Sequence, residues 1–104
     1  MASQLLYPHI QKLPNEPARL QRVPRVRVAQ VAMDYLAHGW SPDEICRQHP
    51  YLMEAEVHAA MAYYYDHQPE IDNEIRDELR QTAQTPDDSA RSPFYLRMRA
   101  KGLL

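Results

Sequence analysis

The rhythm of apolar and polar positions changes along this chain, and each change predicts an element. From His9 to Leu13, and again from Ala18 to Val23, apolar and polar residues alternate, the period of a half-buried strand. Between them Pro14-Asn15-Glu16-Pro17 has the residue types of a turn, so residues 1–25 are expected to hold a short, irregular β-hairpin. Two strands alone are marginal in water; the hairpin must pack on the helices or pair with a second copy, and the second option makes a homodimer. From Val26 to His38 the period becomes helical: Val28, Val31, Ala32, Tyr35 and Leu36 form one apolar face. Val57, Ala60, Met61 and Tyr64 repeat that spacing between Glu54 and His67. Beyond Pro69, Ile71, Ile75 and Leu79 recur every four residues in an acidic run, which predicts a fourth helix laid over the core or against another subunit.

The stretch from His38 to Leu52 joins the first of these helices to the next. Gly39 stands where a helix ending near His38 needs a residue tolerant of positive φ. Ser41 is a good N-cap, Pro42 a good first helical residue, and Glu44 completes a capping box. Trp40 and Ile45 have the spacing of a hydrophobic staple, and Pro50 ends the new helix near His49. The expected fold is mainly α: a three- to four-helix bundle containing a helix-turn-helix, with a short N-terminal β-hairpin. Residues 26–80 form the helical core with its fourth helix. Residues 81–104 form a polar linker and a C-terminal tail that is basic and apolar together.

A chain of 104 residues makes one small domain. The single Cys46 excludes an internal disulfide framework and fits a reducing compartment. No apolar run approaches the ~18 residues of a membrane span, so a soluble, cytoplasmic protein with no membrane contact is expected. The net charge of −2 hides a pattern. Residues 1–30 carry Lys12, Arg19, Arg22, Arg25 and Arg27 against Glu16, which gives +4. Residues 31–88 carry thirteen acidic residues against three arginines, −10, and residues 89–104 carry four basic residues and no acid, +4. Charge gathered this way points to partners more than to a fold.

Candidate chemistry is sparse. Cys46 and His49 sit three apart on a short helix, a spacing that places two metal ligands on one face, but no second pair accompanies them. A buried cysteine and a surface histidine is the better account, and no metal or cofactor is expected. The carboxylates Glu70, Asp72, Glu74, Asp77 and Glu78 lie on a helix with few apolar neighbours, where solvation keeps them from general-acid work. With no phosphate loop and no nucleophile motif, no catalytic residue is expected and the chain does not read as an enzyme. In Tyr63-Tyr64-Tyr65 at least one ring must be partly exposed, either bracing a neighbouring helix or meeting a partner. The third helix holds Glu54, Glu56 and Asp66 and no Lys or Arg, so its first turn would set acid against a polyanion. Any DNA contact therefore falls to Arg19, Arg22, Arg25 and Arg27. In the tail, Phe94, Tyr95, Leu96 and Met98 are interleaved with Arg91, Arg97, Arg99 and Lys101. This segment either packs back on the acidic helices or docks on a partner with an acidic, metal-dependent site.

Arg25-Val26-x-Val28, His38-Gly-Trp-Ser-Pro-Asp-Glu-Ile45, Pro50-Tyr-Leu52, Ala60-x-Ala-Tyr-Tyr-Tyr-Asp-His67 and Glu70-Ile-Asp72 together resemble the bacterial family catalogued as domain of unknown function 433. The resemblance runs from about Leu6 to Leu79. It departs at Val23-Pro24, where the family has Gly-Thr, and at Met53, where the family has a Thr cap worth about 1 kcal/mol. The resemblance implies a β-hairpin followed by a helix-turn-helix bundle, and members regarded as type II antitoxins paired with toxins resembling PIN-domain ribonucleases. On that basis the leading expectation is a non-catalytic, dimeric antitoxin-like protein. Its tail residues Phe94, Tyr95, Leu96, Arg97, Met98, Arg99 and Lys101 would hold a nuclease-like toxin. In an autoregulating version it would also bind operator DNA. The alternatives are a DNA-binding transcriptional regulator that uses the basic N-terminal segment, and a dimeric interaction module with no nucleic-acid role.

Overall fold

The structure is a computed structural model that describes residues 7–83. In chain order the elements are β1 (Ile10–Gln11), β2 (Arg19–Leu20), α1 (Val28–His38), α2 (Pro42–Gln48), α3 (Glu54–Asp66) and α4 (Gln68–Ala83). The expected mainly helical bundle with its N-terminal hairpin is what forms. The strands pair antiparallel, Ile10 opposite Leu20 and Gln11 opposite Arg19. Pro14 and Asn15 make the turn between them, with Glu16 N–H donating to the Leu13 carbonyl at 3.2 Å. Asn15 has φ 62°, a left-handed conformation that asparagine tolerates better than most residues.

The hairpin resolves its marginal stability by packing inward. Ile10, Ala18 and Leu20 are buried in the same core as α1, α3 and α4. The first helix begins at Val28 rather than Val26, because the chain makes a third extended pass before it. Leu20 N–H donates to the Val26 carbonyl at 3.0 Å, Val28 N–H donates to Ala18 at 2.9 Å, and Arg19 and Arg27 form an antiparallel bridge. Those bonds hold Arg27 extended, so it serves as the N-cap of α1.

The turn between α1 and α2 follows the expected chemistry except at one point. Gly39 adopts φ 70° and caps α1, its N–H donating to Tyr35. The Ser41 hydroxyl accepts from Glu44 N–H at 3.2 Å, with Pro42 in the first turn. Glu44 does not close the capping box. Its carboxylate accepts from Gln48 Nε2 at 2.7 Å and Arg47 Nε at 2.9 Å, and those bonds hold its pKa below the usual carboxylate range. Ile45 is fully buried, and α3 contributes Val57, Ala60, Met61, Tyr63 and Tyr64 to the core. In α4, Ile71, Ile75 and Leu79 are all buried, so its narrow apolar stripe closes the core of this chain.

Candidate functional site

The helix-turn-helix consists of α2, the turn over residues 49–53, and α3. The structure brings the arginines of the 19–27 segment to this unit but sets them in unequal surroundings. Arg22 reaches the head of α3: its Nε and one terminal nitrogen donate to the two Glu56 oxygens, each at 2.8 Å, and the latter nitrogen also meets the Tyr51 carbonyl at 2.6 Å. Glu56 is 1% exposed, although its helix begins at the surface. The Arg22 guanidinium and the Met53 N–H hold the Glu56 carboxyl below the usual carboxylate range, against the opposing effect of burial. Arg25 lies over the Tyr51 ring, 4.9 Å from its centroid, a cation–π contact at an exposed site. Arg19 donates to the Pro24 carbonyl at 3.1 Å. Arg27 faces away from the turn, donating to Glu74 at 2.6 Å and to Glu78 on α4.

Arg22 and Arg27 are therefore tied to carboxylates, while among the described residues Arg19 and Arg25 have no carboxylate partner. The basic and acidic stretches partly neutralise one another inside the fold, which reading charge along the chain did not anticipate. The acid at the start of α3 also differs from expectation, because Glu56 points inward and only Glu54 is presented. Glu54 faces Asp43 of α2, and hydrogen bonding and charge repulsion between the two carboxyls push the Glu54 pKa above the ordinary range. The outward face of α3 presents Ala55, His58, Ala62 and Tyr65 and no cation.

Tyr63-Tyr64-Tyr65 divides into two buried rings and one exposed ring. Tyr64 donates to Asp72 at 2.9 Å, and burial together with that bond pushes its hydroxyl up. Tyr63 stacks on His67 with centroids 4.0 Å apart, and Tyr7 stands edge-on to it at 5.0 Å. Tyr7 also donates to Asp66, which pushes its hydroxyl up to about 12. Tyr65 is the exposed ring, edge-on to Tyr35.

Sequence reasoning missed a groove beside the turn. Arg25, Val31, Asp34, His49, Tyr51 and Leu52 are among the residues lining a volume of about 460 Å³. His49, weighed as a metal ligand with Cys46, instead contacts Asp34 with Nε2 at 2.9 Å. Burial raises the Cys46 thiol, which disfavours the thiolate that a metal requires. Among the described residues no three His, Cys, Asp or Glu side chains converge on a metal position. Several α4 carboxylates weighed for catalysis hold structural contacts: Asp72 with Tyr64, Glu74 and Glu78 with Arg27, and Asp77 with Arg80. The tail residues 94–99 and Lys101 lie outside the described residues.

One comparison bears on the family. Residues 22–64 match DUF433, described as a protein of unknown function. The match supports the resemblance drawn from the motifs, over a shorter span than Leu6 to Leu79. The DUF433 segment opens on Arg22 and closes on Tyr64, and it holds α1, α2, most of α3 and both members of the Arg22–Glu56 pair. No curated protein and no solved structure matches the chain. Among the described residues no helix is long and apolar enough to cross a membrane.

Proposed function

We propose that this chain is a non-catalytic, antitoxin-like protein that binds a nuclease-like partner through its basic, aromatic C-terminal segment. The observation that carries the reading is the internal pairing of Arg22 and Arg27. Residues 7–83 hold eight basic against twelve acidic residues, a net −4, and part of the basic content is held by carboxylates of the same body. Such a body repels a polyanion as a whole. Residues 89–104, at +4 with no acid and with Phe94, Tyr95, Leu96 and Met98, have the chemistry that suits an acidic protein site. The test is capture of the adjacent gene's product by the full chain and by a chain ending at Asp88. Capture by the full chain alone supports the assignment; equal capture by both overturns it.

A second reading has its own observation. Arg22 and Arg25 sit together on Tyr51, beside the turn that leads into α3, where a helix-turn-helix approaches DNA. With Arg19, they give a basic rim for phosphates next to an outer α3 face that has no cation to read bases. Operator binding through this rim should fall with salt in proportion to the phosphates engaged, at a log–log slope of about −0.9 per contact. Arg25→Ala should flatten that slope. No retardation of any duplex at low salt removes the DNA reading and leaves the partner reading standing.

A further inference from the structure

Of the eight lysine and arginine side chains among the described residues, Arg25 alone donates no hydrogen bond. Its one contact is with the Tyr51 ring, 4.9 Å from the centroid, and a cation–π contact uses the charge without using the N–H donors. Arg25 also lines the groove beside the turn, whose volume of about 460 Å³ is that of sites for small organic molecules. The polar groups of this lining are unequally committed. Asp34 is taken by His49 at 2.9 Å, and Glu78 accepts from Arg27. The Gln30 side-chain oxygen accepts from Arg27 N–H at 2.9 Å, which leaves the two N–H donors of its amide unused. Among the described residues the Tyr51 hydroxyl has no hydrogen-bond partner either. The carboxylates are therefore spent inside the fold. What stays free is a guanidinium with neighbouring donors, beside the apolar side chains of Val31, Met33 and Leu52.

We propose that this groove binds a small organic anion with a flat aromatic body, its oxyanion at Arg25 and its ring against Val31, Met33 and Leu52. The guanidinium offers a planar fork that matches the oxygens of a phosphate or carboxylate, and Gln30 and Tyr51 supply further donors. Both halves of the ligand are needed. A bare anion leaves the apolar wall uncovered, and a neutral ring leaves the guanidinium without an acceptor. Two sources share this chemistry, a nucleoside monophosphate and an aryl carboxylate. A ligand so placed touches α1 and the turn before α3 at once. The Tyr51 carbonyl is bonded to Arg22, and Arg22 holds Glu56, so occupancy bears directly on the segment that opens α3. The proposal stands apart from both functional readings above.

The test titrates the full chain with phenyl phosphate, phenol, inorganic phosphate, adenosine monophosphate and benzoate, and follows amide signals by nuclear magnetic resonance. Phenyl phosphate is expected to shift the Val31, Asp34, Tyr51 and Leu52 signals to saturation, while those of the hairpin turn around Asn15 stay in place. Phenol and inorganic phosphate should each bind about tenfold more weakly or worse, the loss expected when one half of the ligand is missing. Tighter binding of adenosine monophosphate than of benzoate supports the proposal with a nucleotide as the source, and the reverse order supports it with a carboxylate. Arg25 is exposed and outside the core, so Arg25→Ala should keep the dispersion of the spectrum. It should also abolish the preference for phenyl phosphate over phenol, which a merely structural role of Arg25 would leave intact. No saturation at millimolar ligand overturns the proposal. So does inorganic phosphate binding as well as phenyl phosphate, or a preference that survives Arg25→Ala. No partner and no DNA is present in these titrations, so failure here leaves the capture and retardation experiments untouched.

Discussion

The two turns that flank α2 are closed by different means. In the first, every closing group lies within a few residues: Gly39 at φ 70°, the Ser41 hydroxyl on Glu44 N–H, and Pro42 in the first helical turn. In the second, Met53 stands at the N-cap of α3 and has no hydroxyl to offer. Glu56 reaches back instead, accepting from Met53 N–H at 2.9 Å, and it is held in place by an arginine 34 residues earlier in the chain. The same arginine fixes the Tyr51 carbonyl. A turn closed locally forms when its own residues condense, whereas a turn closed from a distance needs the hairpin in position first. Entry into α3, the helix a DNA-binding unit would present, is thus conditional on the N-terminal segment.

The strongest way to break that contrast is to remove Glu56. Glu56→Ala takes away the backbone acceptor at Met53 and strands Arg22, and the expected loss is about 2 to 3 kcal/mol, read by urea denaturation. A loss no greater than that from Ser41→Ala would end the distinction between the turns. The pH dependence carries a sign as well. Because its carboxyl is held below the ordinary range, Glu56 contributes stability that is fully present above about pH 5 and is lost as pH falls through its folded value. In Arg22→Met, burial remains and the guanidinium is gone, so the carboxyl moves up and the folded state prefers it protonated. The stability gap between wild type and this variant should therefore narrow from pH 7 to pH 4. A gap that stays constant would show that Arg22 does not keep Glu56 charged.

The same contrast separates what the sequence made legible from what it did not. Gly39, Ser41, Pro42 and Pro50 act through their own backbone or their nearest neighbours, so spacing alone located α2 and both of its ends. The hairpin and the apolar faces of α1, α3 and α4 were legible for a similar reason, since periodicity is a property of one element. Glu56 was not, because a carboxylate in the first turn of a helix reads as solvated or dipole-directed until a distant cation is known to reach it. Its spacing from Met53 was the available signal, the second half of a capping box whose first residue lacks a hydroxyl. The Arg27 contacts with Glu74 and Glu78 and the groove at Tyr51 were hidden likewise, since both depend on how α1, α3 and α4 come together.

At the local turn the expected effects are smaller. Nothing lies within 4 Å of the position a Cβ would take at Gly39, so Gly39→Ala meets no clash and its cost is that of the left-handed backbone alone, about 1 kcal/mol. A much larger loss would mean that the α1–α2 turn is under constraints its own residues do not explain. Ser41→Ala removes one exposed hydrogen bond of 3.2 Å and should cost about 0.5 to 1 kcal/mol, with the rest of the fold unchanged by circular dichroism.

The smallest effect has the opposite sign and sharpens the comparison most. Met53 has φ −97° and ψ 148°, already the extended conformation of an N-cap, and its side chain is 51% exposed. Met53→Thr gives the second turn the local acceptor that it lacks, and little apolar burial is lost in exchange. The gain should nonetheless fall short of a full cap, about 0.5 kcal/mol, because Glu56 N–H already donates to the Met53 carbonyl at 2.9 Å and Glu56 already supplies the reciprocal bond. Combined with Arg22→Met the same substitution should stabilise by more than it does alone, since a threonine cap keeps the turn closed when the hairpin's arginine no longer anchors Glu56. Equal gains in the two backgrounds would show that Arg22 and the cap act independently, and that α3 does not depend on the hairpin for its start.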